Sequence, residues 1–106
     1  MTCIISNAKA DEYESYKLTW SPPNAYVNGE KLSVNRDLTA YKIYYGSTRE
    51  GVRENSITIS PLLTKFSLSG LNAVIVKKSP IIYLAITAIT KSGSDSDLSE
   101  IIFFLP

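Results

Sequence analysis

Short runs that alternate apolar with polar residues, each stopped by proline or glycine, constrain this chain most. Tyr16-Lys17-Leu18-Thr19-Trp20 is one such run, and Ser21-Pro22-Pro23 ends it. A strand turns successive side chains to opposite faces, so Tyr16, Leu18 and Trp20 share a face. Proline brings no N–H to a sheet ladder and closes the run. The same grammar recurs. Leu38 to Tyr45 sets Tyr41, Ile43 and Tyr45 on one face and stops at Gly46-Ser47. Ser56 to Ile59 stops before Pro61, and Lys65 to Leu68 closes at Ser69-Gly70. Ile81 to Thr90 turns at Lys91-Ser92-Gly93-Ser94, and Ile101 to Leu105 follows. No segment keeps a helical period. This spacing predicts an all-β fold, a two-sheet antiparallel sandwich of about seven strands.

With 106 residues the chain has the length of one domain, and 44% hydrophobic residues suffice for a core. Trp20, Tyr41, Ile43, Leu68, Leu71, Leu84, Ile86 and Ala88 are the expected core residues. The single cysteine, Cys3, cannot close an internal disulfide. Residues 1–10 are set apart as an N-terminal segment and residues 11–106 as the domain. That segment reads in two ways. Ala8-Lys9-Ala10 fits the small-x-small pattern of a signal-peptide remnant, and Cys3 to Ser6 fits a first edge strand.

Charge and chemistry narrow the function. The net charge is +1, so no basic face calls for nucleic acid. No apolar run reaches the roughly 18 residues of a membrane span. There is no histidine, which removes the Ser-His-Asp and Cys-His forms of catalysis and the usual zinc sites. Paired carboxylates are the remaining catalytic option, with Asp95, Asp97 and Glu100 in one loop and Asp11, Glu12 and Glu14 near the start. A small sandwich offers them no deep cleft. Asp95-Ser96-Asp97 lacks the spacing of a strong calcium motif. The expectation is no enzyme, no metal and no cofactor.

Four of these segments, in order, resemble the fibronectin type III family. Tyr16 to Pro23 is similar to its strand B, with a core tryptophan followed by prolines, and Leu38 to Gly46 to its strand C. Phe66 to Leu71 resembles strand E, and Tyr83 to Ile89 with Lys91-Ser92-Gly93 resembles strand F and its exit loop. The likeness covers Tyr16 to Leu105 and is closest to modules of secreted or surface bacterial proteins. Two departures stand out. The family's corner tyrosine is replaced by Ile82, with Tyr83 one residue out of phase and facing outward. The connection before strand F is also longer, from Asn72 to Pro80.

The resemblance implies strands A, B and E in one sheet and C′, C, F and G in the other. It also implies a secreted or cell-surface module that makes protein contacts without catalysis. The alternative is a spacer or carbohydrate-binding accessory of a polysaccharide-degrading enzyme. Two surfaces are candidates. On the outer C–F–G face, alternation puts Tyr44, Tyr83, Ile89, Ile102 and Phe104 together as an interface for a neighbouring domain, another protein or a second copy. At one tip, the Ser21–Asp37 and Lys91–Glu100 loops bring Asn24, Tyr26, Asn28, Asp95 and Asp97 together, a mixture suited to a protein or a polysaccharide.

Overall fold

Each predicted run becomes a strand within a residue or two of its expected limits. The computed structural model describes residues 6–11, 17–21, 23, 29–71, 76, 78–93, 95–96 and 98–105, with the backbone alone at 6–11 and 35. Among these, seven strands follow in order: β1 Ser6–Asp11, β2 Lys17–Ser21, β3 Leu38–Gly46, β4 Asn55–Ile59, β5 Lys65–Ser67, β6 Ile82–Thr90 and β7 Ile102–Phe104. They form two antiparallel sheets, β1-β2-β5 and β4-β3-β6-β7. This is the strand partition that the resemblance implies. One helical turn, α1 Val34–Asp37, lies within the connection from β2 to β3. The Ser33 amide donates to Asp37 Oδ2 at 2.8 Å across it.

The core lies where the alternation puts it. All eight expected residues are buried, joined by Leu18, Leu38, Tyr45, Ile82 and Phe104. Trp20 and Tyr41 meet edge to face across the two sheets, with ring centres 5.2 Å apart and planes at 72°. On the outer face of the smaller sheet, Lys17 lies opposite Ser67 and Thr19 opposite Lys65, an ordinary wet surface.

Two expectations need correction. The described edge strand, Ser6–Asp11, takes in the last residue of the expected Cys3 to Ser6 strand and crosses the boundary placed after residue 10. Lys9 pairs with Thr19 and Asp11 with Lys17, so residues 6–10 belong to the sheet. Cys3 lies outside the described residues. The second correction concerns β7. Phe104 pairs with Ile82 and Ile102 with Leu84. Directly paired residues share a face, and Ile82 and Leu84 point inward. Phe104 is therefore 3% exposed in the core, with Ile102 packed against it. Neither belongs to the outer face. Phe103, opposite Tyr83, takes the outward position.

Candidate interaction surface on the four-stranded sheet

The outer face of β3 and β6 carries Ala40, Lys42 and Tyr44 beside Tyr83, Ala85, Thr87 and Ile89. Two connections fold back over it. The first begins at Gly46, where a Cβ would run into the carbonyl of Gly51, so only glycine lets the chain return this closely. Thr48 Oγ1 accepts from the Gly51 amide at 2.9 Å, and the Glu54 amide donates to the Gly51 carbonyl at 3.0 Å. This turn presses Val52 onto Tyr44 and Ala85.

The second cover is the segment from Asp95 to Ile101, which runs along the free side of β6. Ile89 bridges Asp95, and Leu84 pairs with Ile102. Over that interval the segment takes two more residues than β6 does. Two serines absorb the excess. Ser96 N–H donates to the Ala88 carbonyl at 2.8 Å while the Ala88 amide donates to Ser96 Oγ at 2.8 Å. Ser99 repeats the exchange with Ile86, at 3.0 and 2.9 Å. Each hydroxyl stands in for a ladder carbonyl, so β6 keeps its bonds while its neighbour bulges. The bulged segment packs Leu98 and Ile101 against Tyr44, Val52 and Ala85. Thr87 is wholly buried in this region, and its hydroxyl has no hydrogen-bond partner.

Tyr44 is thus 6% exposed and is not an open anchor. Its ring carries two cations, Arg53 at 4.8 Å and Lys42 Nζ at 5.2 Å from the centre. Ile89 is half-buried. What remains open is a strip at the β7 edge. Tyr83 is half-buried, with Arg49 5.7 Å above its ring and Phe103 6.3 Å away at 56°. Phe103 and the nearby Leu105 are each 53% exposed. Of the five residues proposed for this face, Tyr83 lies in the open strip. Sequence reasoning passed over Phe103 and Leu105 because it assigned β7 the opposite phase.

The loop tip is documented in part. The Lys91 amide donates to the Asp37 carbonyl at 2.8 Å, which joins the two expected loops at one end of the sandwich. Asp95 is exposed beside this junction. Asn24, Tyr26, Asn28 and Asp97 lie outside the described residues. The turn from β4 to β5 reaches the same end, and its Leu62 and Leu63 are exposed. Two leucines in a proline-led turn, Pro61-Leu62-Leu63, are the sequence signal for this exposed patch. Among the described residues, no group of three carboxylate or thiol ligands gathers into a metal site, and no helix is long and apolar enough to cross a membrane.

Comparison with known proteins bears on the fold. No family model matches this chain, and no curated protein does. Among solved structures, the chain is similar over 99% of its length to the sixth fibronectin type III domain of human fibronectin type III domain containing protein 3. The identity is 15%, the TM-score 0.52, and 83% of that chain is covered. It is also similar over its whole length to part of pectate lyase PelI from Erwinia chrysanthemi, at 9% identity and a TM-score of 0.57. There it spans 28% of the other chain. The fold is a fibronectin type III-like sandwich.

Proposed function

We propose that the chain is a non-catalytic contact module of a secreted or surface protein, and that it meets another protein through the Tyr83–Phe103–Leu105 strip. The observation that carries this reading is the difference between covered and open aromatics on one face. Tyr44 is sealed by Val52, Leu98 and Ile101, whereas Phe103 stays half-exposed beside Tyr83 and Arg49. Aromatic and arginine side chains are favoured anchors at protein interfaces. The lack of histidine and the exposed, scattered positions of Asp95 and Glu100 favour contact over chemistry.

A second reading has its own support. A similar sandwich forms part of a pectate lyase chain. This favours an accessory or spacer role beside a polysaccharide-acting domain, with the loop tip as the place for a sugar chain.

Amide chemical-shift mapping separates the two. The protein is observed alone over the micromolar to millimolar range, and then with oligogalacturonate. Concentration-dependent shifts at Tyr83, Phe103 and Leu105 are expected. If the strip stayed still while oligogalacturonate moved residues 91–95, the accessory reading would replace the contact one. A spectrum that responded to neither would favour the spacer.

A further inference from the structure

The backbone of β7 offers more than its side chains do. Ile86 and Ala88 direct their amides toward the Asp95–Ile101 segment. Alternate residues of a strand bond to the same side, so Leu84 and Ile82 also direct theirs toward β7. Their partners Ile102 and Phe104 are therefore the ones bonded to β6. The N–H and C=O of Phe103 must point the other way, to the free edge of the sheet, and alternation gives Leu105 the same direction. No strand pairs with that edge among the described residues; β1 approaches β7 from the opposite sheet but pairs with β2. Unpaired edges are normally blunted by charge, proline or a covering loop. From Ile101 to Leu105 this one has no charged residue and no proline.

The geometry points to antiparallel pairing of β7 with β7 of a second copy, about a two-fold axis at Phe103, which joins the two four-stranded sheets into one. This rests on reading the strip as a protein contact. A second copy is the occupant because the strand complements itself. With Phe103 opposite its own twin, Ile101 faces Leu105 of the other copy and Ile102 faces Phe104, so every cross-strand pair is apolar. Phe103 meets Phe103 on the outer face, flanked on both sides by Tyr83, in an aromatic row four rings wide. Charge agrees as well. The register sets Glu100 at the opposite end of the ladder from its own twin, so it brings no like charges face to face. A net charge of +1 per copy sets little repulsion against the pairing. The contact is isologous and closes at two copies.

The test uses sedimentation over the micromolar to millimolar range together with amide hydrogen exchange. Wild type should form dimers as concentration rises, and the Phe103 amide should gain protection with dimerisation while those of Ile102 and Phe104 are protected throughout. Phe103→Lys puts like charges on the axis and should weaken association by about tenfold or more. Phe103→Pro removes the free-edge donor as well as the ring and should stay folded, with its β6 pairing intact, yet fail to dimerise, whereas Phe103→Ala, which keeps the donor, should only weaken dimerisation. Should Phe103→Pro unfold, the wild-type exchange pattern decides the matter. Dimers that leave the Phe103 amide unprotected, or that survive in a folded Phe103→Pro, would overturn the strand pairing and leave the contact strip standing. A chain that is monomeric throughout would overturn the self-pairing and leave the strip and its edge for a different protein.

Discussion

At one edge of the four-stranded sheet, β4 turns Ile57 and Ile59 toward the core and Ser56 and Thr58 out to solvent. At the other, β7 turns Ile102 and Phe104 in and Phe103 out. The two edges do the same work inside and differ outside. Serine and threonine leave β4 little apolar area to bury, so strand addition there would gain backbone bonds and almost nothing else. On β7 the residue that exposes its backbone also exposes a phenyl ring. A sheet edge can be left polar, in which case it is inert, or left apolar, in which case it awaits a cover. Among the described residues, the four-stranded sheet has one of each.

The largest effect should separate neighbours on β7. Phe104→Ala should cost about 3–5 kcal/mol, because it empties a core position. Phe103→Ala should cost about 0.5 kcal/mol or less, as at an ordinary surface site. Urea unfolding of the two variants checks this, and equal losses would break the assignment of faces on which the comparison rests.

Ser99→Ala comes next. It leaves the Ile86 amide buried without its acceptor, at a cost of about 1–3 kcal/mol. Faster hydrogen exchange at the Ile86 amide than at the Ala88 amide should accompany it. An unchanged exchange rate would show that the bulged segment does not hold that side of β6.

Thr87→Val should raise stability by about 1 kcal/mol, since it removes a buried hydroxyl that has no partner and nearly keeps its volume. A loss on thermal melting would mean that the cover over the outer face is wetter or looser than the packing indicates.

The smallest change in stability, and the sharpest form of the comparison, is an exchange of edges. Phe103→Thr gives β7 the dress of β4, and Thr58→Phe gives β4 that of β7. Both are expected to shift stability by about 0.5 kcal/mol or less. Association should vanish in the first variant and gain a second site in the second, as read by sedimentation. If both behaved as wild type, edge dress would not govern contact.

Much of this was legible in the residues. The eight core positions follow from period-two alternation because neighbouring side chains in a strand must oppose one another. Trp20 and Tyr41 could be placed without knowing what lay between them. The phase of β7 could not. Its register comes through the stretch from Asp95 to Ile102, which gains one residue on β6 between Ser96 and Ser99 and a second between Ser99 and Ile102; each step flips the phase and the two together restore it, so the phase depends on a number of steps that alternation within the strand does not show. A slip of one residue exchanges the faces, and so Phe104 was assigned the place that Phe103 holds. The cover over Tyr44 was equally hidden, because it depends on how closely Gly46 approaches Gly51.

The residues alone were enough for a sandwich and for most of its core, while the division of the strands between two sheets came from the resemblance to the fibronectin type III family. The strands and their inward faces follow from local rules, namely the alternation of side chains and the tendency of proline and glycine to end a strand. Which outward residues stay open depends on the packed fold. Tyr44 and Phe103 have the same outward alternation and the same aromatic character, yet one is sealed and the other exposed. The reason is where the turn after Gly46 and the segment after Asp95 come to rest, and that is set by contacts between parts of the chain far apart in sequence.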